Sequence, residues 1–539
     1  MPTKRSPWLP RLLTTAAAPA VVFALGLAVG GCSSEPETAQ SDDDLTTNVI
    51  PNKDAFFAED MYFVSVKGWD ARKMTPASLH DEQQTEGAEL VITKTKAKSG
   101  LHCPNAEVGT NDLVYKTKAF SLRTSGNLTN GAPKSSYKLA IEDKKDRLFG
   151  MKAINLKSMW NDVSQMREAL AWKIFEKAGV AAPRHTYAKF CINDRYYGLY
   201  SVIEQVDGSF SKDRFGNNDG NVYKAYWPDN DLGPATLEYR NSGNDDSGKQ
   251  YFKATDVDSR TYRLSGSDKP ETQTYDDLAT LIRVLNGVTV PEGGDLAAKL
   301  KTPAFEAAIE KVFNVKSFLR WASANMLLGA WDNYYATPAN YYLYNSGPKA
   351  NPDRLMAEPY FTWVPWDYDN TFGIDFFGTK WQENDIVDWA AGTRAYYKGA
   401  MPAKLPLLQN LLTNPRYLAY YLDSIEHLND AVFNEEWLAA QIGTENGPGL
   451  RARVQTAALL EADGPGRPAH TGRQFDNDAV FANGLSHNEL NRGAFHVEGI
   501  LHYVRMRHDN VKVQLQRWRQ TIPKGSSGAR FPAKAEAIP

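Results

Sequence analysis

Cysteine is scarce in this 539-residue chain: three in all, of which Cys103 and Cys191 remain after Cys32. Two cysteines carry no spacing signature for a metal site or a disulfide framework, so a Cys103–Cys191 pair and two buried thiols are equally open readings. A basic excess is missing too. Lys and Arg number 61 against 64 Asp and Glu, a net charge of -3, which leaves no field to suggest nucleic acid or an anionic membrane surface as partner. The nucleophile elbow Gly-x-Ser-x-Gly, the zinc motif His-Glu-x-x-His and the Walker phosphate loop are all absent. The nine histidines show no paired ligand spacing; His496, His502 and His508 recur every six residues, which scatters them around a helix. Acidic residues and tryptophans abound, but nothing selects the carboxylate pair that a glycosidase needs.

The N-terminus suggests where the protein works. Residues 1–32 carry Lys4, Arg5 and Arg11, an apolar stretch from Thr14 to Val29, and Gly30-Gly31-Cys32, the layout of a signal peptide that stops at a cysteine. The apolar run is too short and too close to the terminus for a permanent span. Leu27-Ala28-Val29-Gly30-Gly31-Cys32 resembles a bacterial lipobox, which implies a lipidated Cys32 and a lipid anchor in the bilayer; cleavage nearby with an incidental Cys32 is the competing reading. Removing residues 1–31 takes away three positive charges and no negative ones, moving the net charge from -3 to -6. Residues 33–55 read as a disordered acidic linker. The expected location is extracytoplasmic, lipid-anchored to the cell envelope.

Aromatic residues make up 12% and hydrophobic residues 42% of the chain, ample for a packed body of two lobes. Strand-like runs come first: Met61–Val66, Glu89–Thr93, Phe120–Arg123, Tyr137–Ile141, and Tyr187–Ile192 turning through Asn193-Asp194 into Tyr196–Tyr200 as a hairpin. Between them, Asp162 to Ala178 has helical spacing at Val163, Met166, Leu170, Ile174 and Phe175. A polar, Gly- and Asn-rich excursion follows Trp227 as far as about Thr274, with short strand-like pieces at Leu237–Tyr239 and Thr261–Leu264. Its Asn244-Asp245-Asp246 lacks the spacing of a Ca²⁺ loop and reads as a solvated turn. Helices are expected over Asp276–Leu285, Phe305–Val312, Val315–Gly329, Leu405–Leu412, Pro415–Leu428 and Gly499–Thr521. The expected fold is α+β and bilobal, with a strand-rich N-lobe and a helix-rich C-lobe. Residues 56–119 form an N-terminal β-rich extension, 120–520 the main domain with its lobe boundary near 227, and 521–539 a flexible tail.

The chemistry concentrates between Trp331 and Gly373. Asp332 follows an apolar helical run, Asn340 opens the aromatic run Tyr341–Tyr344, and Pro365-Trp366-Asp367-Tyr368-Asp369-Asn370-Thr371-Phe372-Gly373 sets two carboxylates on a turn. Asp and Asn oxygens in this order can hold Mg²⁺ on a triphosphate while one Asp stays free to orient a hydroxyl nucleophile. The ordered blocks Leu122–Thr129, Pro133–Leu139, Met166–Ala171, Tyr197–Tyr200 with Glu204, and the three acidic segments resemble the CotH family of atypical protein kinases, from about Phe120 to Trp518. The resemblance implies transfer of the ATP γ-phosphoryl to Ser, Thr or Tyr hydroxyls of an exported protein substrate or of the chain itself. The cofactor would be Mg²⁺, with Mn²⁺ as substitute. Asp332 would be the catalytic residue, and Asn340, Asp367 and Asp369 the metal-binding ones. Arg123, Gly126, Asn127, Lys138, Glu168 and Glu204 would bind the nucleotide: Gly126-Asn127 approaching the phosphates, Lys138 aimed at them and held by Glu168, and Glu204 near the adenine. Lys134 competes with Lys138, and Arg167 is a further candidate for a phosphate. Asn340 stands eight residues after Asp332 where ordinary kinases have five, with Thr337 at the five-residue position, so the loop must bulge or Asn333 must share the role. The competing function is a catalytically weak or inactive adhesion module on the same fold.

Overall fold

The computed structural model of the protein describes residues 50–70, 83–84, 87–96, 99–104, 112–126, 134–141, 143–159, 162, 164–226, 234–240, 260–265, 274–290, 294–347, 359–376, 378–389, 404–461, 485–487 and 495–523. Cys32, Asn127, Val163, residues 33–49 of the linker expected over 33–55, the Asn244–Asp246 turn and the tail from 524 lie outside the described residues; the end of that expected linker is not disordered, because Lys53, Asp54 and Ala55 open the helix Lys53–Ala58.

One mixed sheet organises the first half. Its strands are β1 (Tyr62–Lys67), β2 (Gln83–Gln84), β3 (Glu89–Lys94), β4 (Leu113–Thr117), β5 (Ser121–Ser125), β6 (Ser136–Ala140), β7 (Ala153–Lys157), β8 (His185–Ile192) and β9 (Arg195–Glu204), in the order β2-β5-β6-β7-β9-β8-β1-β3-β4. β1 runs parallel to β8, and every other pairing is antiparallel. The β8–β9 hairpin turns where expected. Asn193 and Asp194 both adopt left-handed conformations, φ 48° and 60°, as a two-residue primed turn requires. The segment expected as a separate extension over 56–119 is part of this sheet, because β1 inserts between β3 and β8.

Alternation gives the sheet two different faces. Leu122, Leu139, Ile154, Leu156, Tyr200 and Val202 point into one core, closed by Phe56 and Phe57 of the helix Lys53–Ala58. The opposite face carries Arg123, Lys138 and Asn155 in one cross-strand row, with Lys157 two residues beyond Asn155. The helix Arg167–Lys177 joins a second core with Leu199 and Ile203 of the sheet and the helical lobe beyond.

This helix begins five residues later than its apolar spacing suggests. Asp162 folds the preceding turn around its own carboxylate, accepting from the backbone N–H of Ser164 and Arg167, and from the Arg167 guanidinium at 2.7 Å. The other Arg167 nitrogen donates to the Glu498 carbonyl, so Arg167 is a buried tie to the C-terminal helix and does not face a phosphate.

The helical lobe begins earlier than the expected boundary near 227. Val222–Ala225, on which no strand was expected, pairs with Tyr341–Asn345, and a four-stranded sheet continues through Phe361–Pro365 on one side and Tyr262–Leu264 on the other. Leu237–Tyr239 forms no strand. With this sheet come the expected helices, observed as Asp276–Leu285, Pro303–Val312, Val315–Leu328, Pro406–Thr413, Pro415–Ala431 and Ile500–Arg519, and, among the described residues, four the spacing did not reveal, Gly208–Phe215, Leu296–Lys299, Glu435–Ile442 and Leu450–Leu460.

Cys103 and Cys191 form a disulfide that bridges 88 residues of sequence and closes a loop onto β8. Lys189, on the same strand, donates to the Ser99 and Leu101 carbonyls and fixes the loop at a second point. A cross-link over a loop of this size removes denatured-state entropy worth about 2–4 kcal/mol. The Cys103→Ser/Cys191→Ser double variant should therefore unfold at lower denaturant by that amount, and reductant should have the same effect on the wild type and none on the variant.

Candidate active site at the lobe junction

Three pieces of backbone place the acidic residues. The helix Val315–Leu328 is buried on all sides except at Lys316 and ends at Gly329 in the left-handed conformation, φ 58°. A Cβ there would lie 2.2 Å from the Tyr503 hydroxyl oxygen, so the turn into Asp332 requires glycine. Trp331 and Asn333, on either side of Asp332, are both anchored inward. Trp331 Nε1 donates to the Ile374 carbonyl at 2.9 Å, and Asn333 Nδ2 to Asn325 Oδ1 at 2.9 Å and the Ala330 carbonyl at 3.0 Å. Asn333 thus serves the loop from below and takes no share of a metal site, while Asp332 is left facing the junction.

The long Asp332-to-Asn340 loop folds back on its first residue. Thr337 Oγ1 donates to Asp332 Oδ1 at 2.7 Å, and Asn340 Nδ2 donates to the Asp332 carbonyl at 2.8 Å. Three extra residues relative to ordinary kinases are absorbed by a tight turn in which Ala336 and Thr337 bond back to Asn333. Thr337, at the five-residue position, orients the acid. Asn370 Nδ2 donates to Asp332 Oδ2 at 3.2 Å. Burial pushes Asp332 up to about 6, with Asp367 adding to it and the two side-chain hydrogen bonds opposing it.

The Asp367–Asp369 turn is held by its middle residue. Tyr368 is buried against Phe175 and Trp172 of the N-lobe helix, accepts from Trp321 Nε1 at 2.7 Å and donates to Asn325 Oδ1 at 3.0 Å. With Tyr368 directed inward, Asp367 and Asp369 are half-buried at the junction. Asp367, at φ 66°, is in the left-handed region, which Asp tolerates better than most residues.

Opposite this turn stands Lys157, the last residue of β7. Its ammonium meets Asp367 Oδ1 at 2.8 Å and lies 5.7 Å from the Trp366 ring centre. Burial pulls its pKa down, but Asp367, Glu168 and Asp369 together outweigh burial and raise it. Here the structure differs from the sequence reading, in which Glu168 pairs with Lys138 to hold it toward the phosphates. Among the described residues no ion pair joins those two, and the cation that acts on Glu168 is Lys157. Lys138 sits opposite Asn155 on the same face, one pleat repeat or about 7 Å further along the strand. The competitor Lys134 is committed elsewhere, fully buried against Glu461 at 2.6 Å.

Glu168 is buried in the first turn of its helix and accepts from the Tyr368 backbone N–H at 3.4 Å. Burial raises it to about 7, against the pull of Lys157, and its Oε2 has no hydrogen-bond partner among the described residues. Asp369 is raised well above the usual carboxylate range, by burial first and then by Asp367 and Glu168. Four acids and one lysine therefore share one electrostatic environment. Two other expected residues lie apart from it. Glu204 is buried in an ion cluster with Arg184 at 2.6 Å, Arg214 at 3.2 Å and Lys53 at 3.4 Å, so its carboxylate is saturated by structural partners and is not available to a base. Arg123, on the row with Lys138, donates to the Thr124 carbonyl at 3.1 Å. Gly126, at φ 108°, leaves β5 toward Asn127.

The raised acids fix a pH dependence. In the folded, metal-stripped protein Glu168 and Asp332 hold protons to about pH 7 and 6, whereas their ordinary values are 4.5 and 3.8. The native state then binds more protons than the unfolded chain, and stability falls as pH rises through this window. For Glu168 the loss is on the order of 3 kcal/mol. Denaturant midpoints of the chelated wild type should drop between about pH 5 and about pH 7.5, and Glu168→Gln should flatten that slope; an unchanged slope in the variant would disprove the assignment.

A family profile described as CotH kinase protein matches residues 122–445. The inner spore coat protein H of Bacillus subtilis is 24% identical over 247 residues, 46% of this chain and 57% of that protein. Invasin CotH3 of Rhizopus delemar is 22% identical over 340 residues, 62% of this chain and 49% of the relative, and invasin CotH2 of the same organism is 22% identical over 350 residues, 65% and 52%. The chain spans about half the length of the curated relatives it matches. The profile covers more than half of this chain and contains Lys157, Glu168, Asp332, Asn340, Asp367 and Asp369, and the chain belongs to the kinase-like CotH family.

Proposed function

We propose that the protein is an extracytoplasmic, membrane-anchored protein kinase that transfers the ATP γ-phosphoryl to Ser, Thr or Tyr hydroxyls of exported proteins or of itself. The observation that carries this reading is the junction itself: Lys157 from the sheet, Glu168 from the N-lobe helix, and Asp332, Asn340, Asp367 and Asp369 from the helical lobe at one place.

A divalent cation fits this donor set. The acids outnumber the cation that touches them, and the charge of neighbouring acids adds to burial in raising Glu168, Asp332 and Asp369. Among the described residues no three His, Cys, Asp or Glu side chains converge as a preformed metal cage. Mg²⁺ on a nucleotide needs none, because it is held by one or two carboxylates and completes its shell with phosphate oxygens and water. Asn340, Asp367 and Asp369 would hold Mg²⁺, or Mn²⁺ in its place. When bound, the ion neutralises the phosphates and aligns them for in-line transfer. Lys157 stands in for that cation in the present structure. Released from Asp367, its ammonium would serve the phosphates with the orphaned Glu168 Oε2 as its anchor, the division of labour found in kinases.

Asp332 is suited to accept the acceptor's proton. With its pKa near 6 it is ionised at neutral pH, and still basic enough to take up a proton as the hydroxyl oxygen attacks. Thr337 and Asn370 each occupy one oxygen and fix the direction of the remaining lone pairs.

The Cys103–Cys191 disulfide supports an oxidising compartment; a leader over residues 1–32 would end at Cys32, the residue that would carry the lipid anchor. No described helix is long and apolar enough to cross a membrane. Two of the relatives are invasins, which favours a second reading, a surface adhesion module without turnover.

Labelled ATP with Mg²⁺ or Mn²⁺ separates the two. Phosphoryl incorporation should fall at least 100-fold in Asp332→Ala and Asp367→Ala. Lys157→Met should fall comparably, while Lys138→Met should retain most of the activity. Wild-type protein that incorporates nothing and shows no metal-dependent nucleotide binding would refute the kinase reading and leave the adhesion module.

A further inference from the structure

A second lysine faces the same junction from the helical lobe. Lys224 lies in the middle of the strand Val222–Ala225, in register with Tyr342 on the next strand, and Tyr342 is in register with Val364 on the one after. Residues in register share a face. Asn340 precedes Tyr342 by two residues and Trp366 follows Val364 by two, so this sheet face leads directly into the proposed metal ligands.

The side chains make the connection continuous. The Lys224 ammonium lies 4.8 Å from the ring centre of Tyr226 and 5.7 Å from that of Tyr342. Tyr342 meets Trp366 edge to face at 5.7 Å, and Lys157 sits 5.7 Å from the other partner of that contact, the Trp366 ring. Two lysines therefore bracket a pair of aromatic rings beside Asp367, one supplied by each lobe. They differ in their partners. Lys157 has Asp367; among the described residues no carboxylate pairs with Lys224, which is held by the rings and phenol oxygens of Tyr226 and Tyr342. Its charge is retained nonetheless: burial lowers its pKa, but Tyr342 and Tyr226 outweigh burial and the repulsion of Lys157 and raise it. Half-buried cations are ordinarily paired with an anion, and an ammonium kept charged beside the Trp366–Asp367 segment fits an anion brought by a ligand.

We propose that Lys224 is the second cation of the site and donates to a phosphate oxygen of the polyphosphate donor from the helical-lobe side, opposite Lys157. This deepens the kinase reading and rests on it. A triphosphate carries about four negative charges; one divalent ion and Lys157 leave part of that charge uncompensated, and Lys224 supplies the balance. Tyr226 and Tyr342 act as positioning residues that hold the ammonium extended without neutralising it.

The test is a binding titration of the full-length chain with ATP, inorganic tripolyphosphate and adenosine, in wild type, Lys224→Met and Lys224→Arg. The expected result is a loss of about tenfold or more in affinity for ATP and tripolyphosphate in Lys224→Met, with adenosine binding and the thermal midpoint unchanged, and substantial recovery in Lys224→Arg. Unchanged tripolyphosphate affinity in Lys224→Met overturns the proposal, as does an equal loss for adenosine, which would make the lysine structural. A weakened KM for an acidic acceptor peptide with unchanged tripolyphosphate affinity also overturns it and assigns Lys224 to the acceptor. The two readings fail separately. Wild type that transfers phosphoryl groups while Lys224→Met binds tripolyphosphate normally removes the inference alone, and wild type that binds tripolyphosphate through Lys224 but transfers nothing removes the kinase reading alone.

Discussion

The contact on which the site depends is the ion pair between Lys157 and Asp367, because each partner is delivered by a different lobe. An isolated surface pair of this kind is worth about 1 kcal/mol or less. This one is partly buried among three further acids, and removing the lysine would leave their charge uncompensated, which costs several times more. The turn that offers Asp367 is itself fixed from both sides. Tyr368 packs on Phe175 and Trp172 of the N-lobe helix and bonds to Trp321 and Asn325 of the helical lobe. Asn325 also bonds to Asn333 below Asp332, so one buried amide couples the two catalytic segments, and neither can shift without disturbing the other.

Much of the framework was legible from the sequence because it rests on local signals. The Asn193-Asp194 hairpin, the Asp276–Leu285 helix and the long apolar helix before Asp332 all follow from turn chemistry or period. The strand that carries Lys157 was not legible. Ala153-Ile154-Asn155-Leu156-Lys157 is five residues long with a polar side chain at its centre, a weak strand signal on its own. It becomes a strand because β6 and β9 present paired edges on either side. With β7 invisible, the nearest strand lysine was Lys138, on the correct face but one pleat repeat away from the acids. Glu204 failed for a related reason. Its position at the end of β9 was foreseeable, but its partners Lys53, Arg184 and Arg214 come from three separate segments, and no spacing announces such a cluster.

The two lobes are joined by more than the site. Arg167 reaches the Glu498 carbonyl across 331 residues of sequence, Lys134 meets Glu461 across 327, and Tyr196 donates to the Ala457 carbonyl across 261. All three are buried and polar, and breaking any of them leaves an unsatisfied group inside the protein. They bring the last helices of the chain back onto the β8–β9 hairpin and the N-lobe helix. A polar tie of this kind adds little net stability compared with an apolar contact of equal size, but it tolerates only one geometry. The site draws on that property, since Lys157 and Asp367 come from different lobes and are brought to 2.8 Å of each other.

Backbone conformation makes the same argument from the other direction. Among the described residues Asn340 and Asp367 adopt left-handed φ values, 54° and 66°, a conformation that costs a side-chain-bearing residue about 1–2 kcal/mol. Both positions bear the residue types that tolerate it best, and both are proposed metal ligands. The left-handed turn at Asn340 lets its side-chain Nδ2 donate back to the Asp332 carbonyl. At Asp367 it lets consecutive residues face opposite ways, so that Tyr368 enters the core while the carboxylates on either side remain at the surface of the site. A helix would not supply this arrangement, because it would carry the two acids to different faces. Local strain is thus exchanged for convergence, and it is offset by the packing of Tyr368 between the two lobes.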